Sequence, residues 1–358
     1  MIFDFLKKRD YAASIVPGGT RLTVKSGQRL LNAALDAGLD WPHDCRVGSC
    51  GTCRCVLKSG HIKALTDFVY TLDPEDLRKG TILACQALLK SDVVVEVSLG
   101  NAATRSEEVA ATIVEYRRLT HDIVEMTIEL ERPAFASARA GQYLDIRSPG
   151  LVAPRSYSLA HAPSGANGLR YAFFIRHVPG GEFTDWLFAD DRIGAALTAH
   201  GPFGNFYRRQ GSGRMICIAG GSGLAPVHAV LEDALRAGDA RECLVLFGAR
   251  AQRDLYYLDE LAALGRGWAA KFTLLPVLSN EPADSAWCGA RGLVTAHLAE
   301  ALSPDNLGPA DQAYLCGPPA MVDAAMARLN TMGMAPGAIY FDKFLDASTQ
   351  PGGRDALR

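Results

Sequence analysis

Cys45, Cys50 and Cys53 are separated by four and two residues, and Cys85 follows after thirty-one more. No other feature constrains the chain as tightly, because this is the plant-type spacing of thiolates around a [2Fe-2S] cluster. The competing assignment, a structural zinc site, favours paired two-residue gaps over a four-residue one. Gly48 and Gly51 lie within the loop and let backbone amides approach the sulfurs, where their hydrogen bonds stabilise a reduced, more negative cluster. Cys55 falls in an expected strand beyond the loop and is read as structural, as are Cys217, Cys243 and Cys288. Nine cysteines, an odd number in a chain of 358 residues, argue against a disulfide framework.

Around that loop the chain reads as three blocks, as its length suggests. Residues 20 to 101 give a short strand at 21–25, a helix with Leu30, Leu31, Ala34 and Leu35 on one face, the cysteine loop, and apolar strands at 81–87 and 93–97. This is a small mixed α+β sheet crossed by a helix. Residues 101–108 are polar and read as a linker. From 109 to 209 strands recur at short intervals, at 124–130, 141–148, 155–160, 169–176 and 195–200, as in a closed antiparallel barrel. From 214 onward strands and helices alternate, as in a parallel α/β sheet. The expected domains are 1–103, 104–210 and 211–346, with a polar tail at 347–358.

Two further constellations lie downstream of the cysteines. Arg155, Tyr157 and Ser158 share one predicted strand, and Gly180, Gly181 and Thr184 follow before the apolar run Trp186, Leu187, Phe188. A phosphate needs a bidentate cation and exposed amides, and a helix entered at Thr184 supplies a cap and a positive dipole end. Taken singly these pieces are ordinary turn and surface residues; their force is in order and spacing. The apolar strand 215–219 then runs into Gly220, Gly221, Ser222 and Gly223, with a helix expected from Val227. A strand, a glycine turn and a helix make a phosphate site, although the pattern is not the ordinary dinucleotide fingerprint. Cys316, Gly317 and Pro318 end a later strand, and Tyr340 to Phe344 close the last block.

In this order the motifs of residues 20 to 345 resemble the three-domain [2Fe-2S]/FAD/NAD(P)H reductase components of bacterial oxygenases, within the ferredoxin-NADP reductase superfamily. The resemblance implies a β-grasp ferredoxin domain, an FAD-binding barrel and an NAD-binding sheet. It implies that Arg155 binds the flavin pyrophosphate with Gly180, Gly181 and Thr184, that Tyr157 packs on the isoalloxazine, and that Ser158 lies near its reactive nitrogen. Cys316, with Gly317 and Pro318, is placed beside the nicotinamide, and Asp342 and Phe344 at the flavin. Asp342 stands where many relatives carry the longer glutamate. The segments 42–53, 121–126 and 248–259 look most like the electron-transfer components of xylene monooxygenases, whose hydroxylase is a membrane-bound di-iron protein.

The implied function is transfer of electrons from NADH through FAD and the cluster to a non-haem iron oxygenase. A reductase for an iron-sulfur dehydratase of deoxysugar synthesis shares the domain order, and a non-catalytic redox-sensing subunit is the reading from another class. NADPH stays open as the coenzyme because Arg250, with Arg253 nearby, follows the second strand of the last block, where a cation can meet a 2'-phosphate. A net charge of -2 with 48% apolar and 21% charged residues gives no reason to expect a nucleic-acid partner. No run of roughly 18 apolar residues is present to insert in a membrane. A cytoplasmic protein is expected, peripheral to a membrane only through its partner. The docking surface is expected near Arg46 and Val47.

Overall fold

The computed structural model describes residues 9–39, 41–43, 48, 51–99, 107–151, 154–163, 168–302 and 307–344. Two compact units divide between residues 105 and 106.

The first unit contains β1 (Tyr11–Val16), β2 (Thr20–Val24), α1 (Leu30–Asp36), β3 (Arg54–Ser59), β4 (Ile62–Ala64), α2 (Pro74–Arg78), β5 (Thr81–Leu83), β6 (Ala87–Leu89) and β7 (Val93–Glu96). Five strands form one sheet in the order β2-β1-β7-β3-β5, with β1 and β7 parallel and the other pairs antiparallel. Helix α1 buries Leu30, Leu31, Ala33 and Ala34, and Ala13, Ile15, Val24, Leu83 and Val95 share its core. This is the small mixed sheet with a crossing helix that the apolar pattern predicts. Two details differ. Strand β1 begins at Tyr11, earlier than the expected first strand, because its small residues Ala12, Ala13 and Ser14 carry a weak alternation signal. The strand expected over 81–87 is interrupted at Ala84–Gln86 by a turn of 3-10 helix, which turns the chain at Cys85.

The second unit opens with β8 (Glu107–Arg118), β9 (Ile123–Leu130), β10 (Tyr143–Arg147), β11 (Arg155–Ser158), β12 (Arg170–Arg176), α3 (Glu182–Ala189) and β13 (Ala196–Phe203). The strand order is β11-β10-β13-β8-β9-β12, all antiparallel. A bridge between Leu159 and Phe173 and the 2.8 Å hydrogen bond from Ala160 N to the Ala172 oxygen join the two ends and close the barrel. Ile113, Met126, Ile128, Leu144, Ile146 and Phe173 fill it. Glu107 and Glu108, expected in the linker, belong to β8, whose inward positions Val109, Ala111 and Ile113 continue the alternation back to the charged pair; residues 101–106 lie outside the described residues.

The remainder contains β14 (Met215–Gly220), α4 (Leu224–Arg236), β15 (Cys243–Ala249), α5 (Leu258–Gly267), β16 (Phe272–Leu278), β17 (Ala290–Arg291), α6 (Leu298–Leu302), β18 (Gln312–Gly317), α7 (Pro319–Thr331) and β19 (Ile339–Lys343). The sheet is parallel throughout, in the order β17-β16-β15-β14-β18-β19. Strand β14 is central and wholly buried, which explains its unbroken apolar run. Helix α4 starts at Leu224, not Val227. Pro226 sits in its first turn, where the missing N–H would have had no helical partner.

Candidate functional site

Three places gather the predicted residues. In the first unit Cys53 and Cys85 are 2% and 1% exposed. The Cys85 amide points at Cys53 Sγ, 3.5 Å away, and the Gln86 side-chain amide lies 3.8 Å from Cys85 Sγ. The loop ahead of them is pinned by Thr71, whose hydroxyl donates to the Gly48 carbonyl at 2.6 Å. Gly48 has φ 86, and a Cβ there would meet Gln86 Cγ at 2.8 Å, so only glycine lets this turn ride over the residue after Cys85. Two thiols brought together with amide donors suit a thiolate cluster. Cys45 and Cys50, with Arg46 and Val47, lie outside the described residues. Cys55 faces the core, where burial and then the neighbouring Cys85 push its thiol well up, as a structural cysteine requires. Cys288, by contrast, is exposed.

On the barrel, Arg155 is exposed at the start of β11, Tyr157 is half-buried and Ser158 is 5% exposed. Tyr157 packs its ring against Phe183 and Phe173, with centroids 5.4 and 6.5 Å away. Burial raises its hydroxyl above the usual tyrosine range, against the opposing charge of Arg155, so it is a neutral phenol. Helix α3 begins at Glu182 with Gly181 as its cap, not at Thr184. Thr184 lies inside the first turn, and its hydroxyl is used internally: it accepts from Val178 N at 3.1 Å and donates to the Val178 oxygen at 2.9 Å. The Gly180 amide donates to Asp185 and the Gly181 amide to Val178. The donors left for a phosphate are therefore the first-turn amides of α3, which no side chain caps. A Cβ on Gly181 would stand 2.9 Å from the Val178 oxygen, so glycine is needed to bring the turn this close.

On the parallel sheet, the carboxyl ends of β14, β18 and β19 bring Gly220, Cys316, Gly317, Asp342 and Phe344 together. Cys316 pairs in register with both Ala219 and Asp342, and Phe344 N donates to the Gly317 oxygen at 3.0 Å. Gly221–Gly223 form a turn of 3-10 helix leading into α4, and the turn touches β12 of the barrel. A Cβ on Gly223 would stand 2.4 Å from the Cys316 oxygen, and one on Gly317 would stand 2.8 Å from Met321 Cε. These glycines are what allow the turn to lie on the end of β18. Cys316 is fully buried, and burial, reinforced by the Asp342 charge, holds its thiol well above the usual range. It is a neutral wall rather than a nucleophile. Pro318 precedes α7.

Arg250 is exposed after β15, and its carbonyl accepts from Asn280 N. Between it and Arg253 stands Gln252, whose backbone and side-chain amides both donate to Glu281, at 2.8 and 2.5 Å. The acid is half-buried, and these bonds lower its carboxyl below the usual range.

Sequence reasoning missed a polar network joining barrel and sheet. His161 Nε2 meets Glu125 of β9 at 3.0 Å, and its Nδ1 meets Glu232 of α4 at 3.0 Å. Tyr257 donates to Glu125 at 2.9 Å and Arg117 to Tyr257 at 3.1 Å, while Ala162 N donates to Glu232 at 2.8 Å. Burial alone would lower His161, but the two carboxylates outweigh it and push it up to about 9. Burial likewise opposes ionisation of Glu125, yet His161, Arg117 and Tyr257 hold it down to about 2. The only local signal was His228 and Glu232, four apart on a predicted helix. Tyr257 gave none, since nothing in the residues around it marks the left-handed φ of 60 that it adopts.

Three family models match the chain: a 2Fe-2S iron-sulfur cluster binding domain over 15–90, an oxidoreductase FAD-binding domain over 110–207, and an oxidoreductase NAD-binding domain over 217–327. The chain is 41% identical over 342 residues to the xylene/toluene monooxygenase electron transfer component of Pseudomonas putida, covering 95% of each. It is 35% identical over 345 residues to the reductase subunit of an aromatic O-demethylase from Amycolatopsis, covering 94% of this chain and 99% of that one. Among solved structures it is similar to an Amycolatopsis cytochrome P450 reductase (TM-score 0.66, 33% identity, 93% of this chain and 98% of that). It is also similar to a ferredoxin reductase in carbazole 1,9a-dioxygenase (TM-score 0.65, 29% identity, 94% and 99%).

Proposed function

The chain belongs to the iron-sulfur flavoprotein reductase components of oxygenase systems, and on that premise we propose its acceptor, its coenzyme and its cofactor contacts. It is an NAD(P)H-dependent oxidoreductase that uses FAD and a [2Fe-2S] cluster to deliver electrons to an oxygenase component. A nicotinamide gives two electrons together as hydride and a cluster takes one at a time, and FAD, when bound, connects the two.

Cys45, Cys50, Cys53 and Cys85 ligate the cluster. Arg155 and the first-turn amides of α3 bind the flavin pyrophosphate, with Gly180, Gly181 and Thr184 shaping the turn rather than donating to it. Tyr157 covers the flavin ring, and the Ser158 hydroxyl faces its reacting nitrogen. The Gly220, Gly221, Ser222 and Gly223 turn receives the nucleotide phosphates, and Cys316, Gly317 and Pro318 wall the nicotinamide, with Asp342 and Phe344 on the adjoining strand. The observation that carries this reading is that the glycine turn, Cys316 and Asp342 meet at the carboxyl end of the sheet, and that the same turn touches the barrel. NADH is the preferred coenzyme. The Glu281 carboxylate, held by Gln252 at the ends of β15 and β16, places a negative charge on the turn that follows Arg250, where a 2'-phosphate would have to come.

The acceptor is the non-haem iron hydroxylase of an aromatic-hydrocarbon monooxygenase, membrane-bound, and approached by this reductase from the cytoplasm. The identity of 41% across 95% of the xylene/toluene component supports this choice. The relatives named above serve oxygenase or demethylase systems, which favours an oxygenase over a dehydratase acceptor. No helix among the described residues is long and apolar enough to cross a membrane. The test is NADH-driven hydroxylation with membranes carrying a xylene-type hydroxylase, compared with a soluble phenol hydroxylase. Turnover only with the soluble component would overturn the assignment of a membrane-bound acceptor.

A further inference from the structure

His228 and Glu232 stand four residues apart on α4, so their side chains leave the helix on one face. His228 is 2% exposed. Its Nδ1 lies 2.8 Å from the Ala160 carbonyl oxygen; a carbonyl can only accept, so Nδ1 carries the proton and Nε2 presents a lone pair. Among the described residues Nε2 has no hydrogen-bond partner. An imidazole nitrogen with its lone pair unused is a ligand atom for a borderline divalent cation.

Opposite it, from the barrel, comes His161. One ligand atom each from His161, His228 and Glu232 lie within 4.8 Å of one another, and His161 Nδ1 is already 3.0 Å from Glu232 Oε1. Atoms bound to one zinc ion at about 2.0–2.2 Å stand roughly 3–3.5 Å apart, so closing the site needs side-chain movement of about 1 Å. Two imidazole nitrogens and one carboxylate oxygen form a donor set for zinc and its borderline neighbours; calcium and magnesium require more oxygens. The outer contacts are also in place. His161 Nε2–H is held by Glu125, itself fixed by Arg117 and Tyr257, and His228 Nδ1–H by Ala160. Such contacts set ring orientation and raise ligand basicity.

We propose that His161, His228 and Glu232 form a binding site for zinc or a similar borderline divalent cation, one that bridges the FAD-binding barrel and the NAD-binding sheet. The cation takes the place of the proton on His161 Nδ1, and that proton leaves to solvent. Without the cation, the protonated ring between Glu125 and Glu232 fills the same role, so the site exchanges one bridging charge for another.

The probe is zinc chloride titrated into the FAD- and cluster-loaded protein against a fluorescent zinc indicator. Wild type takes up one saturable equivalent with release of about one proton, and both His228→Gln and Glu232→Gln bind at least tenfold more weakly. Glu125→Gln keeps all three ligands and removes the charge of the outer contact, so its affinity falls by about 10–100-fold. Zinc also raises the thermal midpoint of the wild type and not of the ligand variants. Equal affinity in wild type and both ligand variants, as capture by cluster-loop thiols would give, overturns the proposal. So does the absence of saturable uptake by wild type, a result that needs no variant to fold.

Discussion

Replacing Gly223 by alanine tests the nucleotide site through a single methyl group. The residue has φ −62, so alanine meets no backbone strain there; the obstacle is packing alone. The added Cβ would stand 2.4 Å from the Cys316 oxygen, 2.6 Å from its carbonyl carbon and 2.7 Å from Gly317 N. All three are main-chain atoms of a central sheet strand and its exit, so the turn must move away by about 1 Å to reach ordinary contact. Overpacking of this kind costs about 1–3 kcal/mol of stability. A displacement of about 1 Å in a group that positions a reactant costs roughly 10²-fold in rate, or about 2.7 kcal/mol of barrier. The assay is anaerobic stopped-flow reduction of the bound flavin by NADH, with the flavin spectrum and a thermal melt verifying that the variant is loaded and folded. Gly221→Ala is the control. Its φ is 55 and nothing lies within 4 Å of the added methyl, so it incurs backbone strain of about 1–2 kcal/mol without displacing β18. We expect Gly223→Ala to lose about 10²-fold in flavin reduction and Gly221→Ala less than tenfold. If Gly223→Ala reduced its flavin within twofold of wild type, the turn would not be what positions the nicotinamide, and the site would have to be moved.

Cys85→Ser is expected to lose the cluster absorbance while NADH still reduces a two-electron dye through the flavin, and hydroxylase-coupled turnover disappears; retained coupling would remove the cluster from the electron path. Glu281→Gln should raise the NADPH-to-NADH ratio of kcat/KM by roughly tenfold, chiefly through KM, because it removes a repelling charge while its amide oxygen keeps one of the two Gln252 donors. Asp239→Asn should cost about 3 kcal/mol of stability at pH 7, since it strands the buried Arg241 guanidinium that Asp239 meets at 2.6 and 2.9 Å. Burial opposes the Asp239 charge, but its bonds to Arg241 prevail and depress its carboxyl. Its contribution is thus full above the ordinary aspartate range and lost as pH falls through the depressed value; denaturation at pH 7 and again in acid should show the gap closing.

The iron-sulfur domain, the glycine turn after β14 and the alternation of strand and helix were legible because each is a local pattern. A metal-ligand spacing, an αL turn and a wholly buried parallel strand all leave their requirement in consecutive residues. The barrel was visible strand by strand, yet its longest strand, β8, was partly mistaken for a linker because Glu107 and Glu108 look like solvent-facing residues until their partners Gly201 and His200 are known. Thr184 shows the opposite failure. Its type and position suggest a cap and phosphate donor, and only the fold of the preceding loop reveals that its hydroxyl is satisfied by Val178.

By itself, then, the sequence determined which cofactors this chain can hold and in what order along it, since those demands are met by residues near one another in the chain. The tertiary structure decided what lies between the barrel and the parallel sheet. Glu125, His161, Glu232 and Tyr257 are separated by up to 132 positions, and no periodicity or spacing links them. Their charges acquire meaning only when burial removes water from around them and leaves one another as the available partners.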